Sequence, residues 1–237
     1  MNSIKGIIFD YGGTIDTNGI HWAEIIWQQY RKADVNVGYE TYRSAYVHGE
    51  RTLARQRIIL PTDTFRTLLH KKIEIQFGYL AGECNVCGLT EELKESVAEG
   101  CYAKVKETLS TTCAIVEKLS GKYPLVLVTN FYGNMPVVLE EFNLSGYFKS
   151  IVESSVVGLR KPDPALYALG VKELGIPAEN IMVIGDSYRK DIYPAREIGC
   201  QAVWLKNVCW EEEPVESGHE PTHVIDTLEK LNGIISL

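Results

Sequence analysis

Four apolar runs, none alternating with polar residues, constrain this chain more than any other feature. They are IKGIIFD (4–10), YPLVLVTN (123–130), NIMVIGD (180–186) and QAVWLK (201–206). A strand that is apolar on both faces must be covered on both, which is the condition inside a parallel sheet. FKSIVES (148–154) and THVI (222–225) are weaker strand candidates. After residue 110, helical patterns fill the gaps: TTCAIVEKLSGK, MPVVLEEFNL and PALYALGVKELG. This alternation predicts an α/β core, a doubly wound parallel sheet with right-handed crossovers.

One interval breaks the rhythm. Between residues 17 and 107 nothing resembles a buried strand. HWAEIIWQQYRKA places Trp22, Ile25, Ile26 and Tyr30 on one helical face. DTFRTLLHKKIEIQFGYL and TEELKESVAEGCYAKVKETL are also helical in pattern. A crossover between parallel strands needs only a dozen or so residues. The interval is several times longer, which predicts an inserted all-helical domain at 17–107 on a core formed by 1–16 and 108–237.

The chain has 237 residues, 45% of them hydrophobic, enough for such a core and a smaller second domain. Its net charge of -7 shows no basic stripe for nucleic acid. The first apolar run stops at Asp10, too soon for an export signal, and no stretch reaches the roughly 20 apolar residues that span a bilayer. The expectation is a soluble cytoplasmic protein that uses neither nucleic acid nor membrane, its six cysteines reduced. The C-x-x-C at Cys84 and Cys87 lacks the second pair that a zinc site needs. WEEEPVE (210–216) reads as a solvated acidic loop.

In open α/β sheets, ligands bind beyond the carboxyl ends of the strands. Those ends carry Asp10, then Thr129 and Asn130, then Arg160 and Lys161 in GLRKPDP, then Gly185, Asp186 and Ser187, with Asp191 one turn on. Phosphoryl transfer explains that set. A carboxylate can attack phosphorus and form an acyl phosphate, provided the repulsion between two anions is relieved. Mg²⁺ held by Asp10 and Asp186 relieves it. Thr129 can hydrogen-bond the transferred oxygens and Lys161 adds positive charge. Asp191 can hold Mg²⁺ through water or orient Lys161. Asn130, beside Thr129, is a further candidate for substrate contact.

IIFDYGGTID, LVLVTN, GLRKPDPALY and VIGDSYRKDIYPAREIG, in this order, resemble the motifs of the haloacid dehalogenase (HAD) superfamily of aspartate-nucleophile phosphohydrolases. The resemblance covers almost the whole chain. It implies a Rossmann-like core with a helical cap inserted after the first motif. It implies that Asp10 is the nucleophile, Thr129 the phosphate-binding hydroxyl and Lys161 the third-motif lysine, with Arg160 a weaker occupant. Asp186 and Asp191 are similar to the metal acids of the fourth motif. Gly13 and Thr14 belong to a tight turn whose amides approach phosphate.

One position departs from the family. Most of its phosphatases carry a second aspartate two residues after the nucleophile, which protonates the leaving group. Here that residue is Gly12, whose carbonyl can still face a metal. The resemblance therefore implies a phosphatase for a small phosphorylated metabolite, slowed or differently supplied with a proton. Asp16 and His21 are the nearest substitutes. The alternatives are a phosphate-binding protein with little turnover and a dehalogenase, whose relatives also lack the second acid but generally lose the Gly-Asp pair. In the inserted helices, His21, His48, Glu50, Arg51 and Arg55 are polar groups available to a substrate.

Overall fold

A computed structural model describes residues 3–211 and 214–235. The apolar runs form a six-stranded, wholly parallel sheet. In chain order the elements are β1 (Gly6–Phe9), α1 (Trp22–Lys32), α2 (Tyr39–Arg55), α3 (Phe65–Gly82), α4 (Glu91–Ser120), β2 (Leu125–Thr129), α5 (Met135–Glu141), β3 (Ser150–Glu153), α6 (Ser154–Val157), α7 (Pro164–Leu174), β4 (Ile181–Gly185), α8 (Tyr193–Glu197), β5 (Gln201–Leu205) and β6 (His223–Ile225). Both weaker strand candidates are present as β3 and β6.

The strands lie in the order β3-β2-β1-β4-β5-β6. β1 is central: Ile8 registers with Val126 of β2 on one side and Val183 of β4 on the other. The chain first builds outward through β2 and β3, then crosses to β4, β5 and β6. The carboxyl ends of β1, β2 and β4 therefore meet where the winding reverses, the place where such sheets bind ligands.

The two faces of the sheet are buried in separate apolar clusters. Ile7, Phe9, Leu125, Leu127 and Ile184 pack on the side of the inserted helices and α5. Ile8, Val126, Val128, Val183 and Ala202 face α7 and α8. The strand period of two is thus kept, and the runs look continuous only because neither face is wet. Gly170 lets α7 lie directly on the sheet, since a Cβ there would stand 2.6 Å from Val128 Cγ2.

α1 to α4 occupy the long interval after β1. α1 buries Ile25, Ile26 and Tyr30, as its pattern predicts, while Trp22 stays half-buried. His21 caps α1, and Thr64 and Thr90 cap α3 and α4 with hydroxyls accepting backbone N–H. The two helical patterns on either side of residue 110 are one unbroken helix, α4, of 30 residues. It runs through residue 107, where the sequence suggested that the insertion ends. Neither glycine nor proline stands between Thr108 and Thr112 to stop it, and the Ser110 and Thr111 hydroxyls donate back to carbonyls of the preceding turn instead of capping a new helix. Its first half carries Glu95 and Glu99, which meet His70 and Arg66 of α3. Its second half is tied to the core, with Thr112 donating to Ile15 O at 2.8 Å and Lys118 to Asn232.

No helix among the described residues is long and apolar enough to cross a membrane. The six cysteines form no disulfide with one another.

Candidate active site

The turn after β1 is built around two carboxylates. Asp10 donates its backbone N–H to Ile184 O of β4, which fixes the strand end. Thr14 Oγ1 donates to Asp10 Oδ2 at 3.2 Å. Thr14 is fully buried, its hydroxyl orients Asp10, and its N–H donates to Tyr11 O at 3.1 Å. Gly13 has φ +96°, and a Cβ there would overlap the Asp186 carboxylate. Glycine is needed at that point on both counts. Gly12 beside it lines the cleft, lies outside the left-handed region and has open space where a Cβ would point.

Lys161 is the electrostatic centre. Its ammonium lies 2.6 Å from Asp10 Oδ1 and 2.7 Å from Asp191 Oδ1, with all three side chains almost wholly buried. Asn130 aims this lysine: its side-chain oxygen accepts from Lys161 N at 2.9 Å and its amide donates to Lys161 O. The sequence placed Asn130 among substrate contacts, but its amide is engaged with the lysine loop. Asp191 also accepts from Tyr167 at 2.7 Å and from Ser187 N at 3.0 Å. Gly185 makes room for it, since a Cβ there would overlap the Asp191 side chain. Thr129 ends β2 on the same cleft.

One carboxylate oxygen from each of Asp10, Asp186 and Asp191 lies within 4.8 Å of the other two. Burial raises the Asp10 pKa to about 6, against the pull of Lys161 and with a further push from Asp191. Burial likewise raises Asp186 well above the ordinary carboxylate range, helped by Asp191 and Asp10. One lysine does not compensate three acids. A hard divalent cation fits this donor set, which is all oxygen and short of positive charge.

The two candidates for a substitute acid separate clearly. Asp16 is fully buried and faces away from the cleft. Its oxygens accept from Gly13 N at 2.7 Å and Trp22 Nε1 at 2.9 Å, so it holds the turn together. Burial lifts its pKa to about 7. His21 does line the cleft. Its Nδ1 accepts from Ala23 N, and burial, reinforced by Lys190, lowers its pKa to about 4. At neutral pH it is an uncharged imidazole with its hydrogen on Nε2.

The inserted helices roof a cavity of about 410 Å³ over these groups. Glu50 of α2 is on its wall, whereas His48, Arg51 and Arg55 line a separate groove on the outer side of α2. Lys72 of α3, Trp22, Tyr46 and Tyr132 also face the cavity and were not evident from sequence. In LLHKKIEI nothing marks Lys72 over Lys71; only the packed helix turns one inward. Trp210 was assigned to a solvated loop. Instead it stacks on His21, packs on Tyr46 and lies under Arg43, which also pairs with Glu211 at 2.8 Å. The rest of that acidic run, residues 212 and 213, lies outside the described residues.

A strand-end aspartate, a buried lysine beside it and a pair of acids in the turn after β4 are the marks of an α/β hydrolase. Residues 4–199 match the model of the haloacid dehalogenase-like hydrolase family, and the chain belongs to that family. It is 26% identical to a phosphoglycolate phosphatase of Vibrio cholerae over 99% of this chain and 98% of that one. It is 28% identical to the haloacid dehalogenase-like hydrolase domain-containing protein 3 of Danio rerio, but over only 44% of this chain and 43% of that protein. The L-2-haloacid dehalogenase RSc1362 has the same fold, with TM-score 0.66 and 16% identity over the full length of both chains.

Proposed function

We propose that this hydrolase is a Mg²⁺-dependent phosphatase that cleaves a small phosphorylated metabolite through an aspartyl-phosphate on Asp10. The observation that carries this reading is the cluster of Asp10, Asp186 and Asp191 oxygens within 4.8 Å around one lysine. The phosphatase relative of full length is consistent with it. Asp10, Asp186 and the carbonyl of Gly12 would hold Mg²⁺, with Asp191 in direct contact or through water. The cation, when bound, screens the repulsion between carboxylate and phosphate.

The chain's own groups account for the rest. Thr14 and Lys161 fix the Asp10 carboxylate from either side. One of its oxygens bonds to phosphorus as the ester P–O bond breaks, and the leaving alkoxide takes a proton. Thr129 and the Gly12 N–H hydrogen-bond the transferred oxygens, the Gly13 N–H being held by Asp16, and Lys161 balances the charge that gathers there. Water then attacks phosphorus and releases the Asp10 carboxylate. With glycine at position 12, the proton comes from solvent or from a donor such as His21 Nε2–H at the cleft wall.

Gly12 and the likeness to RSc1362 favour a second reading, in which Asp10 displaces halide from a 2-haloacid. The acid at position 186 argues against it, because that displacement needs no metal. A third reading is a phosphate-binding protein with little turnover. Phosphate release with and without Mg²⁺, beside halide release from 2-chloropropionate, decides among the three. The proposal expects Mg²⁺-dependent phosphate release that Asp10→Asn abolishes. Halide release without phosphate release would replace it.

A further inference from the structure

Above the phosphoryl site, the roof of the cavity holds an ion pair that the chemistry below does not use. Lys72 Nζ lies 2.7 Å from Glu50 Oε1. The lysine side chain is only 7% exposed and its ammonium sits 5.7 Å above Trp22 and 5.9 Å from the Tyr132 ring. The glutamate is under-bonded. Its Oε1 meets the Lys72 ammonium, and its Oε2 receives a long 3.5 Å bond from Tyr132. A carboxylate offers about four acceptor sites. The glutamate side chain is 35% exposed and opens to the cavity, so its free acceptor sites are within reach of a ligand.

Resting on the phosphatase reading, we propose that Glu50 and Lys72 bind neighbouring hydroxyls of a phosphorylated sugar or polyol, the uncharged part of the substrate. The pair is neutral as a unit. A carboxylate or second phosphate placed there would face Glu50, and an ammonium would face Lys72. A hydroxyl donates to one and accepts from the other, and two on adjacent carbons meet both without breaking the pair. Trp22, Tyr46, Tyr132 and Trp210 supply flat apolar walls against which the C–H faces of such a molecule pack. The remaining cations of the cavity, Arg160, Arg189 and Lys190, come from the core loops that carry Lys161 and Asp191, and of these Lys190 is near enough to Glu50 to join Lys72 in lowering its pKa. The cavity volume, about 410 Å³, is near the lower end for small-molecule sites and admits a single small sugar phosphate.

The test is calorimetry on the Asp10→Asn protein with Mg²⁺, which reads affinity without turnover. The probes are glucose 6-phosphate, ribose 5-phosphate, ethyl phosphate, 2-phosphoglycolate and O-phosphoserine. At least one sugar phosphate should bind about tenfold or more tighter than ethyl phosphate. Adding Glu50→Gln and Lys72→Met should bring that ratio to within about threefold. If the double change unfolds the protein, Glu50→Gln alone, which removes the charge and replaces one of two acceptor oxygens by a donor, should lower the same ratio. A ratio unmoved by these changes overturns the proposal, as does tightest binding of phosphoglycolate or phosphoserine. Phosphates that bind without regard to hydroxyls sink this inference alone. No binding of any phosphate by folded protein sinks the phosphatase reading with it.

Discussion

Gly13 and the Asp186 carboxylate stand so close that no side chain fits between them. Gly13→Ala is expected to push Asp186 out of the acid cluster and to strain a backbone at φ +96°. The strain alone is worth about 1–2 kcal/mol of stability. Thermal unfolding reads that loss. Mg²⁺ titration of the same variant should show weakened binding, and normal binding would mean that Asp186 is not a ligand.

Gly12 is the contrasting neighbour. Nothing lies within 4 Å of a Cβ built there, and its φ is not positive. Gly12→Asp should therefore fold as well as the parent. As an added acid it should raise phosphate release from alkyl phosphates by about tenfold, roughly 1.4 kcal/mol of barrier. Aryl and acyl phosphates, whose leaving groups need no proton, should gain little. The absence of a gain that depends on the leaving group would mean either that the parent already has its donor or that its chemistry needs none. His21→Ala then tests that donor through a loss confined to alkyl phosphates.

Lys161→Met removes the cation shared by Asp10 and Asp191. Breaking a buried pair in this way typically costs about 3–5 kcal/mol. The variant should melt lower, and Mg²⁺ should restore more of its stability than it adds to the parent. Comparing melting temperatures with Mg²⁺ and with chelator measures this, and turnover should fall in either case.

Asp16 gives the metal-free protein a distinctive pH profile. Its folded pKa is raised from 3.8 to about 7, so the folded state holds the proton more tightly than the unfolded chain. Its contribution is complete below the unfolded value and is lost as pH rises through about 7. Asp10, raised to about 6, acts in the same direction. Stability in chelator should therefore fall between about pH 4 and 7, with a limiting slope near 1.4 kcal/mol per pH unit for each group. Urea midpoints across that range should show a shallower fall for Asp16→Asn. An unchanged slope would mean that Asp16 is ionised in the fold.

The strands and most of the site could be read from the sequence for one reason. Asp10, Thr129, Lys161, Asp186 and Asp191 are each attached to a strand end or the loop after it, and strand ends are where apolar runs stop. What escaped was decided by helix packing. Lys72 and Lys71 are adjacent in sequence, yet one is inside and the other pairs with Asp63, just ahead of α3. Tyr167 looked like an ordinary core aromatic of α7, and only its hydroxyl on Asp191 shows otherwise. For Thr14 and Asn130 a motif marks nearness to the site and not each atom's partner: Thr14 donates its N–H to Tyr11 and its hydroxyl to Asp10, and Asn130 holds the Lys161 loop. Trp210 stands beside a run of acids, and charge hid the aromatic contact.

α4 has a consequence for anyone who would exchange the roof of this enzyme for another. Of the two junctions between roof and core, the second lies inside a continuous rod. One residue inserted between Glu99 and Thr112 would turn everything before it by about 100° and shift it by about 1.5 Å. Glu50 and Lys72 would then point away from Asp10, although every local contact within the roof survived. Successful chimeras must therefore match in helical phase, and lengths between the anchors that differ by three or four residues should be tolerated better than those that differ by one or two.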